Sequence, residues 1–389
     1  MTPVQAVILA AGEGTRLRPL TQNRPKALLP VSNRSILEHL VESLLKCGIR
    51  DIIVVAGYRK EQVMRHLIGL PIPVRVVEQH SQIGTAHALL CAKDLITSDV
   101  LVLPGDNYVD PVSLKEMLKT SNSLLITTHK HPSNFGVVTV EDGLVTNIME
   151  KPARANRMTV SCGVYYLKKE LLSDIADQNL SDAMNSLISN GEQIHAVSAN
   201  EWQDAIYPWD LLWMNERLIR GIAPFRMGQI SSSVIIEGVV QLGKGSVINP
   251  YCTIRGPVII GEDCVIGPHV VIQPGTSIGS RVTIEAFTVI GNSLVMDDCV
   301  IASHSSVTSA VLGEACTLGE NTIITAGKGL LEIGNDVVSS SFGAVMGNGV
   351  FSSPRVTYEN CVIGNDCHID ARNGQHIRSK IIPDKTRVM

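Results

Sequence analysis

The chain has 389 residues, a formal net charge of −4 at pH 7 and only 4% aromatic residues. This length predicts two or three domains, and the slightly negative charge offers no basic field for nucleic acid. Because no apolar stretch is long enough to span a membrane and the N-terminus leads directly into a predicted strand rather than a signal sequence, we expect a cytoplasmic protein with neither nucleic acid nor membrane as partner.

The first half of the chain alternates predicted strands and helices. Residues 4–9 form an apolar run typical of a buried parallel strand, and apolar residues at helical spacing follow at 36–45, with Gly48 placed to end that helix. Further strands are predicted at 52–55, 74–77 and 100–103, and further helices at 60–67 and from about Thr85. Repeated units of this kind predict an α/β domain with a Rossmann-like, mostly parallel sheet.

The loop after the first strand, residues 9–26, has the sequence LAAGEGTRLRPLTQNRPK. It follows a strand's carboxyl end, where open α/β sheets bind ligands. Glycines let the backbone N–H groups approach a polyphosphate closely, while Arg16, Arg18 and Lys26 bring positive charge to it. We therefore predict a nucleoside triphosphate site, whose nucleotide-binding residues in this loop are Leu9, Ala10, Ala11, Gly12, Gly14 and Thr15.

Two carboxylates are candidates for a metal site at the same edge of the sheet. Asp106 follows the predicted strand at 100–103, and Asp210 follows Pro208 and Trp209 at the start of a helical pattern. A triphosphate needs a hard cation, and carboxylates are the ligands that Mg²⁺ prefers. The alternatives are that Asp106 only forms a turn and that Asp210 only begins a helix.

An aliphatic residue recurs every six positions in the C-terminal part, nine times in unbroken register from Leu242 to Ile290. The series resumes one residue early at Val295 and again at Leu312, which predicts two short corners. This is the hexapeptide repeat of a parallel β-helix. The last helical pattern ends near residue 220, so we predict domains at 1–225 and 226–389.

Five of the nine cysteines lie four positions after a repeat aliphatic, namely Cys252, Cys264, Cys299, Cys316 and Cys367. This regular position predicts small buried side chains rather than redox or metal-binding groups.

The complete opening loop, with Gly14-Thr15-Arg16 and Pro25-Lys26, resembles the signature of the sugar-1-phosphate nucleotidylyltransferases. The resemblance implies that Gln79 and the pair Gly84-Thr85 bind a pyrimidine base, and that Asp106 and Asp210 hold Mg²⁺. It also implies that the sugar phosphate is bound by Gly136, Glu150, Lys151 and Ser161. Many family members carry Asn at the position of Ser161, so the identity of the sugar stays open.

The implied reaction is in-line attack of a sugar-1-phosphate oxygen on the α-phosphorus of UTP or dTTP, with release of pyrophosphate. Positioning and charge neutralisation carry such a reaction, with Arg16, Lys26, Asp106, Lys151 and Asp210 as the predicted catalytic residues. Glucose-1-phosphate and N-acetylglucosamine-1-phosphate are both candidate acceptors. The alternatives are a mannose-1-phosphate guanylyltransferase and a regulatory nucleotide-binding subunit without turnover.

A nucleotidylyltransferase domain followed by hexapeptide repeats resembles the bifunctional uridylyltransferase/acetyltransferase enzymes, especially their archaeal relatives. That resemblance implies a left-handed β-helix, a homotrimer and acetyl-CoA as a co-substrate. His304 falls at the position of the acetyl-transfer base, but Val307 and Ile323 stand where the family has Tyr and Asn. His304 is therefore interpreted either as that base or as an exposed corner residue. We expect a β-helix that mainly assembles the trimer, with weak or altered acetyl transfer; full acetyltransferase activity is the alternative.

Overall fold

The structure, a computed structural model, describes residues 4–333, 336–370 and 374–389. The chain divides into two compact units. The first comprises Met1–Glu13, Arg24–Leu28 and Ile36–Asp204, and the second comprises Gly14–Asn23, Leu29–Ser35 and Ala205–Met389. In the described part of the chain, no helix is long and apolar enough to cross a membrane.

A nine-stranded sheet forms the centre of the first unit. Its strands, in spatial order, are Arg75–Glu78, Ile52–Ala56, Val4–Ala10, Asp99–Pro104, Thr159–Leu167, Ser123–Thr128, His195–Ser198, Leu144–Glu150 and Gly136–Glu141. The first four are parallel to one another, as the alternation of strands and helices predicts. A separate antiparallel pair joins Asn107–Val109 to Trp202–Asp204.

Five α-helices connect these strands, at Ile36–Lys46, Lys60–Ile68, Thr85–Cys91, Pro111–Met117 and Leu180–Ser189. The first three begin within a residue of the positions that the apolar spacing predicts. The helix Ile36–Lys46 buries the predicted apolar side of its surface, with Leu37, Leu40 and Leu44 fully buried. The Rossmann-like fold of this unit is therefore confirmed.

The four parallel strands end at a common edge of the sheet. Leu9 pairs with Pro104, Ala10 with Ala56, and Ala56 with Glu78. Because parallel strands point the same way, the residues that follow them emerge side by side at this edge. The edge therefore gathers the first residues of the opening loop, Gln79 and Asp106.

The second unit contains three parallel sheets, which we call the first, second and third faces of a β-helix. The first face consists of Phe225–Arg226, Val240–Leu242, Val258–Ile260, Thr276–Ile278, Leu294–Val295, Val311–Leu312, Ala344–Met346, Cys361–Ile363 and Ile381–Ile382. The second consists of Gln229–Ile230, Val247–Ile248, Val265–Ile266, Thr283–Ile284, Val300–Ile301, Thr317–Leu318, Phe351–Ser352, His368–Ile369 and Arg387–Val388. The third consists of Ile235–Glu237, Thr253–Arg255, Val271–Ile272, Val289–Gly291, Ser306–Thr308, Ile323–Thr325, Thr357–Glu359 and His376–Arg378.

The hexapeptide repeat maps directly onto these faces. Leu242, Ile248 and Ile254 lie on the first, second and third faces in turn, and all three are fully buried. The two short corners lie between a third-face strand and the next first-face strand, before Val295 and Leu312. The left-handed parallel β-helix that the repeat and the family resemblance predict is thereby confirmed.

The buried cysteines of the repeat point their thiols along the axis of the β-helix. The Cys252 thiol donates to the Gly267 carbonyl oxygen at 2.9 Å, and the Cys264 thiol donates to the Gly279 carbonyl oxygen at 3.0 Å. All nine cysteines are free. Burial raises the pKa of the Cys252 and Cys264 thiols, which keeps them protonated donors.

The α-helix Asp210–Ile219 packs within its own unit on two strands of the first face, Thr276–Ile278 and Leu294–Val295. Asn215 on this helix is fully buried, accepts from the Ser277 hydroxyl at 2.7 Å and donates to the Gly275 carbonyl oxygen at 2.9 Å. The second unit is completed by a short pair, Pro30–Val31 with Arg34–Ser35, and by a hairpin, Gly327–Ile333 with Asp336–Phe342. The β-helix begins with the strand Phe225–Arg226, and the second unit already includes residues from Ala205. The domain boundary at residue 225 stays a prediction.

Candidate active site

A cleft of about 440 Å³ lies in the first unit at the edge where the parallel strands end. Most of the predicted site residues of this unit line it. They are Leu9, Ala11, Gly12, Gln79, Gly84, Thr85, Asp106, Gly136, Glu150, Lys151 and Ser161. Ala10, predicted with them, is instead buried behind the cleft wall, where Gly105 packs against it. One cleft thus collects residues predicted for the nucleotide, the metal and the sugar.

A lysine bridges two carboxylates at the cleft. The Lys26 Nζ lies 2.7 Å from the Asp106 Oδ2 and 3.0 Å from the Asp204 Oδ1. The exposed fractions of the three side chains are 13% for Lys26, 35% for Asp106 and 18% for Asp204. Burial lowers the pKa of Lys26, but the two carboxylates outweigh it, so the net effect is a raised pKa and a charged ammonium at neutral pH.

The second carboxylate that contacts Lys26 at this place is Asp204. The strand Trp202–Asp204 pairs with Asn107–Val109 so that Asp204 stands opposite Asn107, directly beside Asp106. The Asp210 carboxylate instead accepts from the backbone amides of Ile206 (3.0 Å) and Tyr207 (2.8 Å), at the start of its own helix. The structure therefore brings Asp204 to the candidate site as the second carboxylate beside Asp106, and a role of Asp210 in metal binding stays a prediction.

Local sequence points to Asp210 more readily than to Asp204 for a physical reason. Asp210 has the local sequence of a helix start, which is the alternative interpretation that the sequence leaves open. Asp204 ends a strand of only three residues, and its register with Asn107 depends on a partner almost a hundred residues away. The available signal was that Asp204 follows Trp202 and Gln203, a short β-type stretch like the one before Asp106.

The predicted base-binding residues form one corner of the cleft. The Gln79 Nε2 donates to the Gly84 carbonyl oxygen at 3.1 Å and lies 2.9 Å from the His87 Nδ1. A Cβ on Gly84 would lie 2.2 Å from the Gln178 carbonyl oxygen, so only glycine fits there. The Thr85 hydroxyl accepts from the Leu180 amide at 3.0 Å, which fixes this corner to a second part of the unit.

The predicted sugar-binding residues form a hydrogen-bonded polar wall. The Ser181 hydroxyl donates to the Glu150 Oε2 at 2.7 Å, and the Ser161 hydroxyl accepts from the Gly163 amide at 3.0 Å. The Tyr165 hydroxyl bonds to both serines, and burial raises the pKa of Tyr165 to about 12, so this hydroxyl is neutral. Lys151 is exposed, with its Nζ 3.4 Å from the Glu150 Oε1.

Several residues of the cleft were not predicted from the sequence. Besides Asp204, they include Gln82, Asn107, Asn134, Tyr165, Asn179, Ser181 and Trp202. Gln82 donates to the Ala11 carbonyl oxygen at 2.8 Å and so supports the opening loop. The Trp202 ring packs edge-on against Phe135, with 5.3 Å between the ring centroids. These residues carry no motif, because their role comes only from where the fold places them.

Three predicted residues of the opening loop, Gly14, Thr15 and Arg16, belong to the second unit. Gly14 has a left-handed backbone conformation with φ of 67°, and a short 3-10 helix, Thr15–Leu17, follows it. Arg16 is exposed. The roles of these three residues in nucleotide binding stay predictions.

His304 lies at an exposed corner of the β-helix, in a stack of four rings that we call the aromatic ladder. The ladder consists of Tyr251, His269, Phe287 and His304, with neighbouring ring centroids 4.9–5.0 Å apart and interplanar angles of 4–15°. All four residues have positive φ and occupy equivalent turns between second-face and third-face strands. The His304 ring stacks on Phe287, as an exposed corner residue would.

Comparison with known proteins agrees with this fold and site. A family model described as "Nucleotidyl transferase" matches residues 5–216, and one described as "GMPPB C-terminal domain" matches residues 254–386. The chain is 34% identical to the "Bifunctional protein GlmU" of Methanococcus maripaludis, over 94% of this chain and 95% of that protein. It is 32% identical to the "UTP--glucose-1-phosphate uridylyltransferase AglF" of Haloferax volcanii, over 55% of this chain and 96% of that protein.

A crystal structure assigned as a glucose-1-phosphate thymidylyltransferase from Bacillus anthracis shares the fold, with a TM-score of 0.52 and 24% identity over 57% of this chain and 98% of that one. The chain belongs to the nucleotidyl transferase family. Within that family it is a sugar-1-phosphate nucleotidyltransferase of the GlmU-like type, with a C-terminal β-helix.

Proposed function

We propose that the chain transfers a nucleotidyl group from UTP or dTTP to glucose-1-phosphate or N-acetylglucosamine-1-phosphate and releases pyrophosphate. The observation that carries this proposal is the single cleft in which the Lys26-bridged carboxylates face the polar wall of Glu150 and Ser161. The phosphates of a triphosphate would lie at the end of the cleft that holds Lys26 and the two carboxylates. The sugar would lie against the polar wall. Lys151 would hold the phosphate of the attacking sugar between the two.

The predicted preference for uracil or thymine has a chemical basis in Gln79. Its Nε2 already donates within the protein, to Gly84 and towards the Nδ1 of His87. The atom left to meet a base is then the Oε1, which accepts a hydrogen bond. Uracil and thymine offer an N–H donor at the matching edge of the ring. The guanylyltransferase alternative stays open to test, since guanine also presents an N–H donor.

Mg²⁺ is proposed as the cofactor. The described residues contain no cluster of three or more His, Cys, Asp or Glu side chains suited to a metal. The pair Asp106 and Asp204 nevertheless fits a hard cation that takes its other ligands from phosphates and water. When bound there, Mg²⁺ would supply positive charge to the reacting phosphates.

A panel of triphosphates tested against a panel of sugar-1-phosphates, scored by pyrophosphate release, tests the proposal. We expect turnover with UTP or dTTP and with a glucose-type phosphate. GTP with mannose-1-phosphate as the preferred pair would favour the guanylyltransferase. Nucleotide binding without pyrophosphate release from any pair would favour the regulatory subunit.

We also propose that the chain forms a homotrimer through its β-helix, and the aromatic ladder supports this. Tyr251 and Phe287 expose 63% and 51% of their surface. Around a rotation axis the same residue of each copy meets its equivalent. The aromatic ladder contains no carboxylate, ammonium or guanidinium group, so equivalent ladders do not repel each other through such charges.

Phe287→Ser should convert the trimer into monomers at micromolar concentration, because it removes one of the two inner rings of the ladder. Light scattering coupled to size exclusion measures the mass directly. Ile68→Ser is the matched control, since Ile68 is 84% exposed on the first unit. A wild-type protein that is monomeric, or a Phe287→Ser variant that stays trimeric, would contradict this surface assignment.

Acetyl-CoA as a co-substrate stays a prediction. The name of the GlmU relative calls it bifunctional. In this chain the His304 ring is part of the aromatic ladder, and Val307 at the predicted position of a substrate-binding Tyr is buried in the β-helix core. These observations favour a β-helix that mainly assembles the protein, with acetyl transfer weak or altered.

A further inference from the structure

The bridge between Lys26 and the two carboxylates places a positive charge where a metal ion is expected. One ammonium lies within 3.0 Å of an oxygen of both Asp106 and Asp204. Lys26 follows Pro25 at the start of the 3-10 helix Lys26–Leu28, so its backbone is fixed while its side chain reaches across to the carboxylates. The ammonium is mostly buried, and it satisfies both acids at once.

The positive charge of Lys26 in this bridge repels a second cation. Two carboxylates this close repel each other, so they need a positive charge between them. A divalent cation added to the pair while Lys26 stays in place would meet a like charge a few ångströms away. Like charges repel each other strongly over such a distance in a partly buried site. A metal therefore gains the full attraction of the carboxylates only after the ammonium has left.

The lysine side chain can move away from the two carboxylates. It is a compact charge on a flexible four-carbon stem, and it can exchange one anionic partner for another without a backbone change. A triphosphate bound in the cleft would offer such a partner. Its oxygens would take the ammonium, and the carboxylates would be released for a cation that arrives with the nucleotide.

We propose that Lys26 closes the Asp106–Asp204 pair to divalent cations in the nucleotide-free protein and opens it when a triphosphate draws the ammonium away. This proposal rests on the proposed function, because it takes the cleft as a triphosphate site. Its consequence is that the protein without nucleotide binds a free metal ion weakly. Metal and triphosphate then enter the cleft together, and the two acids do not collect ions from solution beforehand.

The test measures Mn²⁺ binding to the full-length chain without nucleotide, by electron paramagnetic resonance of free Mn²⁺. Lys26→Met should bind one Mn²⁺ at least about tenfold more tightly than wild type, because the methionine keeps the length of the side chain but removes its charge. Lys119→Met is the matched control, since Lys119 forms an ion pair with Glu116 outside the cleft. It should leave Mn²⁺ binding unchanged. The double variant Lys26→Met/Asp204→Asn should lose the increase in Mn²⁺ affinity. That loss would show that the Mn²⁺ binds to the carboxylate pair.

Thermal unfolding shows whether Lys26→Met still folds, and Lys26→Gln replaces it if it does not. Tight Mn²⁺ binding by the nucleotide-free wild type, or no gain in either Lys26 variant, overturns the proposal. The experiments distinguish failure of the lysine bridge from failure of the proposed function. Weak wild-type binding with a gain in Lys26→Met, but no pyrophosphate release from any substrate pair, would reject the proposed function and leave the lysine bridge standing. A wild-type enzyme that releases pyrophosphate but binds Mn²⁺ tightly without nucleotide would reject the lysine bridge and leave the proposed function standing.

Discussion

Asp204→Asn should lower the rate of pyrophosphate release by roughly 10²–10³-fold while the protein still folds. The substitution keeps the shape of the side chain and a hydrogen-bond acceptor for Lys26, but it removes one of the two charges beside the reacting phosphates. The loss should appear in kcat as well as in kcat/KM, because this charge matters most when negative charge moves between the phosphates. Steady-state pyrophosphate release over a range of Mg²⁺ concentrations measures the effect.

Asp210→Asn is the matched control for that experiment. Its carboxylate accepts from the amides of Ile206 and Tyr207, and the asparagine amide oxygen can still accept from them, so the variant should lose at most about 1 kcal/mol of stability and change turnover by no more than a few-fold. A collapse of turnover in Asp210→Asn, with Asp204→Asn active, would restore the assignment that the sequence first suggested.

Gly12→Ala should reduce kcat/KM for the triphosphate by roughly 100-fold and leave the stability of the protein unchanged. A Cβ on Gly12 would meet no protein atom within 4 Å, and the residue does not have positive φ, so the fold itself tolerates alanine. The added methyl group would instead occupy the space in front of the loop backbone. If phosphates approach that backbone closely, alanine must push them away.

Gly69→Ala provides the comparison, because its Cβ would make only an ordinary contact, 3.5 Å from the His66 carbonyl oxygen, at a helix end outside the cleft. It should change neither stability nor kcat/KM. Gly12→Ala with wild-type kinetics would show that the phosphates lie elsewhere, and a large fall in its melting temperature would show that Gly12 serves the fold.

The two halves of the fold could be predicted from the sequence for different reasons. The β-helix follows from a six-residue period, because every coil repeats the same burial and Leu242, Ile248 and Ile254 each face the core. The Rossmann-like unit follows from alternating apolar runs and helical stripes, which are local patterns. Neither pattern shows that residues 14–23 and 29–35 belong to the second unit, because that depends on contacts with distant parts of the chain.

The candidate site divides in the same way. Asp106 could be predicted because it follows the end of a parallel strand, and Gln79 because it resembles the base-binding glutamine of the family. Asp204 could not, since strand pairing with Asn107 brings it to the cleft from far along the chain. His304 was identified as a residue of interest from the family pattern, yet its stacking on Phe287 arises from the regular rise of the coils.

The sequence by itself determined the class of protein, the order of its two folds and the presence of a glycine-containing loop after the first strand, because each rests on residues close together in the chain or on a strict period. Only the tertiary structure decided which carboxylate stands beside Asp106, that Lys26 bridges the two, and that Tyr165 and Ser181 complete the polar wall. These features depend on distances between residues far apart in sequence. Such distances are fixed by strand register and packing, and local patterns carry no information about either.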